Sequence, residues 1–250
     1  MEDINQHITD CPEGHTRGNS KESTFPYRTS IGTYIVLVFL ILVFPGLNII
    51  IALLFDNEIN LDLFDPVWFF FVPTMAMLWM IALAVLLAIW REKAPLSSIG
   101  LGKFKLSYLG YALLFIIASN ITLAVVQIFL ETLGIGFSAN IEEILKKAQE
   151  HIWWWLAISI SAAICEEVSF RGYVMTRIKG LTGWGWTVPI LVSSMAFATG
   201  HLYQGLGGFL VILIYGTMFA VLYALTRSIW PGILAHFIQD FSAIFFYKYF

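Results

Sequence analysis

Residues Ile152 to Arg177 read IWWWLAISISAAICEEVSFRGYVMTR. The first half is apolar enough to lie in hydrocarbon, and the second half carries Glu166, Glu167 and Arg171 within six positions. A crossing helix needs about 20 mainly apolar residues. An ionisable group within one costs roughly 2.5–3.5 kcal/mol on insertion scales, so it normally faces protein and serves a purpose. This stretch is therefore read as a membrane helix with a polar interior face, which makes the fold an all-α, polytopic transmembrane helical bundle.

Outward from it the chain repeats the apolar pattern. Of 250 residues 58% are hydrophobic and only 12% charged, about half the charged share of a soluble domain. Seven spans are expected, at Ile31–Phe55, Pro66–Trp90, Ser107–Glu131, Ile152–Met175, Trp186–Leu202, Phe209–Thr226 and Ile229–Tyr247. Three regions follow from this reading: a polar, disordered tail over 1–30, two helices and a basic loop over 31–106, and a helical core over 107–250. Pro45-Gly46 and Pro73 are expected to kink the first two spans, a tolerated feature in membranes.

Lys and Arg in short loops stay on the cytoplasmic side. Arg91, Lys93, Lys103 and Lys105 follow the second span, Arg177 and Lys179 the fourth and Arg227 the sixth, which sets the N-terminus inside; Lys146 and Lys147 dissent. With a net charge of −3 and no basic block, nucleic acid is excluded as a partner. Cys11 and Cys165 lie in such different surroundings that no disulfide between them is expected. His7, Cys11 and His15 recur every four residues in the tail but lack a fourth ligand.

Polar groups concentrate in the fourth, fifth and seventh spans: Glu166, Glu167 and Arg171, then His201, then His236 and Asp240. On an α-helix positions four apart share a face and adjacent ones diverge by about 100°. Glu167 and Arg171 are thus expected to pair, while Glu166 looks to another span for its partner, with His201 the candidate. A carboxylate and a histidine in a low-dielectric cavity are the equipment of general acid–base chemistry on water, and a second polar helix can supply donors for an oxyanion. The same groups also suit an interhelical hydrogen-bond network or proton transport, although a transporter usually shows repeated halves and these polar groups lie in one half. A divalent metal such as zinc is a further option. The HExxH signature is absent and no two histidines stand four apart on one helix, so no cofactor is expected.

Depth constrains the arrangement. At 1.5 Å per residue, Glu166 and His236 both fall about 9–10 Å from the basic face, whereas His201 falls about 22 Å away if its helix starts at Trp186. A helix entering near Ile190 reduces that to about 16 Å. The glycines of LYQGLGG after His201 suit irregular backbone, which membranes permit where it lines a cavity. A polar intramembrane cavity is expected there.

Glu166 to Arg171 fits EExxxR, Phe197 to His201 fits FxxxH and His236 to Asp240 fits HxxxN/D, in order on successive segments. This pattern, over about the last 130 residues from Leu113, resembles the CPBP (Abi) family, which groups type II CAAX prenyl endopeptidases with bacteriocin-processing and immunity proteins. The resemblance implies an intramembrane glutamate-dependent endopeptidase in which Glu166 and His201 activate water. It gives His236 and Asp240 the oxyanion, and leaves Glu167 and Arg171 structural or substrate-orienting roles. Its substrate is then a peptide or lipidated protein, met among membrane lipids in a bacterial or archaeal cell membrane. A non-proteolytic immunity or regulatory protein of the same fold is the alternative. Asp stands at position 240 where many members have Asn, and a carboxylate there suits orienting His236.

Overall fold

The computed structural model describes residues 29–54, 65–136 and 140–246. Residues 1–28, and with them His7, Cys11, His15 and nearly all of the expected tail, lie outside the described residues. Eight helices and no strands are found among those described: α1 (Ile31–Leu54), α2 (Val67–Arg91), α3 (Ser107–Thr132), α4 (Asn140–Glu150), α5 (Ile152–Thr182), α6 (Thr187–Thr199), α7 (Gly205–Thr226) and α8 (Trp230–Phe246).

The fold is an all-α bundle, and five of these helices, α1, α2, α3, α5 and α7, are long and apolar enough to cross a membrane. The segments expected as fifth and seventh spans are helices of 13 and 17 residues, about 20 and 26 Å long against a core of about 30 Å. Large side chains such as Ile35, Leu53, Leu83, Leu114 and Leu225 face outward. A soluble monomer rarely exposes apolar patches of that extent, and here they form the lipid-facing surface. The chain is an integral membrane protein.

Local sequence accounts for the irregularities. Ser30 caps α1 by accepting from the Thr33 amide while the Thr33 hydroxyl accepts from the Ser30 amide, so two orphan donors of the first turn are satisfied together. Proline lacks the N–H that would bond the carbonyl four residues back. Upstream of both prolines the chain widens into a π-turn, Phe39–Val43 before Pro45 and Val67–Phe71 before Pro73. At the end of α5, Gly183 adopts φ +67°, the left-handed cap glycine takes without steric cost. Glu142, Glu143, Lys146 and Lys147 fall on α4, a polar helix that sequence periodicity left as loop.

Inside the bundle α5 packs against α2 and α8, α6 against α7, and α3 against α7 and α8. The main apolar cluster joins Leu40 of α1, Val85 and Ile89 of α2, Tyr173 and Met175 of α5 and Ala220 and Tyr223 of α7. Around α5, therefore, the N-terminal pair of helices and the C-terminal helices meet.

Candidate active site

α5 runs as an α-helix to Glu166, widens into a π-helix over Glu167–Val174, and closes again to Thr182. Every residue of the π-segment is buried. A π-turn spends more residues per revolution than an α-turn, so adjacent side chains diverge less than the 100° of an α-helix. Glu166 and Glu167 both reach His236 of α8, at opposite nitrogens of its ring. The expectation that they point to separate surroundings assumed an α-helix and is corrected here.

His236 is 3% exposed and stands among three carboxylates. Its Nδ1 lies 3.3 Å from Glu167 Oε1, and its Nε2 lies 3.5 Å from Glu166 Oε2 and 3.4 Å from Asp240 Oδ2. The ring packs on Phe219, with centroids 5.2 Å apart. Close approach depends on Gly232, one turn before His236, where an added Cβ would fall 2.6 Å from Glu167 Oε2. Asp240 is fixed from behind by Trp155, whose Nε1 donates to its carbonyl at 3.0 Å.

Glu167 and Arg171 form the expected pair, at 3.1 Å and fully buried. The Arg171 guanidinium also sits 4.1 Å over the Phe197 ring and donates to the Gly216 carbonyl at 3.4 Å. A buried ion pair repays its desolvation only when further contacts surround it, and the aromatic faces supply them.

His201 follows the end of α6. Its Nδ1 lies 3.2 Å from the Phe197 carbonyl, which only accepts, so Nδ1 carries the hydrogen and Nε2 offers its lone pair. Glu166 and His201 both line one cavity of about 280 Å³, together with Ser169, Phe170, Gly200 and Tyr203. Its opposite wall comes from Phe44 and Asn48 of α1 and Phe70, Thr74 and Met77 of α2. Glu166 and His201 thus share a cavity, as expected, while the imidazole that Glu166 faces at close range is His236.

The depth discrepancy resolves differently from expectation. α6 begins at Thr187, not near Ile190, and α5 runs on seven residues past its expected end at Met175. Glu166 stands 16 residues before the end of α5 and His201 14 residues after the start of α6, about 24 and 21 Å along the two helices. Joined by the short turn 183–186, the helices bring the two side chains to one level.

The segment that carries these residues is similar to a known family. Residues 148–242 match the family model described as type II CAAX prenyl endopeptidase Rce1-like. Over this segment the chain is similar to that family. Neither a curated protein nor a solved structure matches the chain. The matching segment begins at Ala148, later than the expected Leu113, and holds Glu166, Glu167, Arg171, His201, His236 and Asp240 together.

Several elements of the site escaped sequence reading. The walls that α1 and α2 supply lie outside the matching segment, and Asn48 is a lone amide in an apolar run there. Glu92 and Arg177 read as loop residues; both are buried, and Arg177 Nη2 meets Glu92 Oε2 at 2.5 Å. Glu92 also accepts from Thr33 at 2.9 Å and Tyr173 at 3.0 Å. Among the described residues no group of three or more His, Cys, Asp or Glu side chains is arranged to hold a metal ion.

Proposed function

We propose that the chain is a glutamate-dependent intramembrane endopeptidase that hydrolyses a peptide bond of a membrane-associated peptide or lipidated protein. The observation that carries this reading is the shared cavity: Glu166 and the acceptor nitrogen of His201 border one space inside a bundle whose other buried charges, among the described residues, are paired. The family named by the matching segment is one of peptidases.

In this mechanism a water in the cavity donates one hydrogen to Glu166 and the other to His201 Nε2. Glu166 takes the proton as the water oxygen attacks the scissile carbonyl, and the carbonyl oxygen becomes an oxyanion. The proton then passes from Glu166 to the leaving amine as the C–N bond breaks, which restores the carboxylate. His236 holds Glu166 in place from behind, because both of its ring nitrogens already face carboxylates. That positioning role fits the geometry better than direct contact with the oxyanion. Glu167 and Arg171 fix His236 in turn. The aromatic and aliphatic wall from α1 and α2 suits an apolar or lipidated substrate.

The basic ends, with Arg91, Lys103, Lys105, Lys179 and Arg227, are assigned to the cytoplasmic side on the same rule that sets loop charge elsewhere. Purified protein reconstituted in vesicles tests the activity. Wild type and Glu166→Ala are incubated with a panel of prenylated CAAX-type tails, bacteriocin leaders and signalling peptides, and products are read by mass. Cleavage by wild type alone is expected; equal cleavage by both would falsify the mechanism.

A further inference from the structure

We infer that the Ser169 hydroxyl is the hydrogen-bond donor that binds the scissile carbonyl oxygen of the substrate in the cavity. The inference rests on the proposed peptidase reading and adds the group that its oxyanion step leaves unassigned.

Serine inside a helix ordinarily satisfies its hydroxyl on the carbonyl one turn back. Ser159 and Ser161, on the same helix, do so at 2.8 Å each, and Thr176 donates to the Gly172 carbonyl at 2.5 Å. Ser169 does not. Its side chain is 1% exposed, its Oγ has no hydrogen-bond partner among the described residues, and it lines the cavity. Ser169 lies within the π-segment, whose turn is wider than that of an α-helix. Leaving a buried hydroxyl unpaired is unfavourable, and a ligand oxygen in the cavity would satisfy it.

Position points to which oxygen. Ser169 lies three residues after Glu166 on the same helix, and both side chains line the same cavity. A carbonyl carbon attacked by a water on Glu166 sits in that cavity, and there its oxygen can meet the unpaired Ser169 hydroxyl. The hydroxyl donates to the ground-state carbonyl and more strongly to the oxyanion that follows. No bond to Ser169 forms or breaks, and its hydrogen stays on Oγ throughout. His236 is less suited to the task because carboxylates face both its nitrogens.

The test compares Ser169→Ala and Ser169→Cys with wild type, Glu166→Ala and Ser194→Ala in vesicles, using whichever peptide wild type cleaves. Ser194 is the matched control: its Oγ is also buried and without a partner, but it is not on the cavity wall. Ser169→Ala is expected to lower kcat about 100-fold, as loss of one oxyanion donor does, with KM changed less than about threefold and melting temperature no lower than wild type. Ser169→Cys, close in size but a weak donor, is expected to fall similarly, and Ser194→Ala to keep wild-type kcat. Wild-type kcat in folded Ser169→Ala overturns the assignment, as does an equal loss in Ser194→Ala. If Glu166→Ala cleaves like wild type, the peptidase reading itself fails; if it is inactive while both Ser169 variants are active, only the Ser169 assignment fails.

Discussion

Asp240 and Gly232 each bear on where a single imidazole is held. Asp240 Oδ2 lies 3.4 Å from His236 Nε2, and asparagine keeps an acceptor oxygen at that point while giving up the charge. Asp240→Asn is therefore expected to retain activity within about tenfold of wild type, and a loss as complete as that of Glu166→Ala would show that the carboxylate itself is required. Gly232→Ala places a methyl group 2.6 Å from Glu167 Oε2. Glu167 is buried between Arg171 and His236, so a shift of its carboxylate disturbs both contacts. We expect at least a tenfold fall in kcat with the helical content of the protein preserved, measured by cleavage rate and far-ultraviolet circular dichroism; overpacking of this kind typically costs about 1–3 kcal/mol. At this scale the sequence is informative about charges and poor about glycines. An ionisable residue in an apolar run is conspicuous because its burial is costly, whereas Gly232 acts through the volume of the side chain opposite it, which no local pattern records.

The π-segment of α5 decides how the elements present those residues. Read as α-helix, EExxxR separates Glu166 from Glu167. In the structure both reach His236, and the Ser169 hydroxyl within the wider turn has no hydrogen-bond partner among the described residues. Both features escaped the sequence for the same reason: a π-turn is stabilised by what packs around it, and composition within the turn does not announce it. Gly172 shows the packing involved, since a Cβ there would meet the Ile99 carbonyl at 2.9 Å. Gly172→Ala is thus expected to lower thermal stability by about 1–3 kcal/mol, read as a melting shift in detergent, and to cut activity through the register of the π-segment. An unchanged melt together with unchanged activity would show that the short 3-10 turn Leu96–Ile99, which carries that carbonyl, moves aside freely. The level of the site along α5 and α6 was legible as a constraint and misread as a mechanism. Depth counting found that His201 sat too far from Glu166; the length of α5, whose last turns contain Arg177 and Lys179, hid the answer because charged residues read as loop.

Across the whole molecule, the matched segment of 148–242 does not close its own site. α1 and α2 supply the far wall of the cavity, and a buried ion pair ties them to α5 at the basic end. Glu92 at the end of α2 receives Arg177 through Nε at 3.0 Å and Nη2 at 2.5 Å, Thr33 of α1 and Tyr173 of α5. Arg177 Nη2 also donates to the Ser98 hydroxyl at 3.1 Å. Both charges are out of contact with solvent, so removing one strands the other. Arg177→Met is expected to destabilise the protein by about 3–5 kcal/mol, and Glu92→Gln combined with Arg177→Met to recover most of that loss, since an apolar or neutral pair of similar volume avoids an uncompensated buried charge. Thermal melts of the two variants in the same detergent separate the cases. If the cluster only fixes helices at the basic end, the double variant regains cleavage along with stability. Recovery of stability without cleavage would mean instead that the charge pair sets the spacing of α1 and α2 from α5, and with it the width of the cavity in which Glu166 and His201 meet.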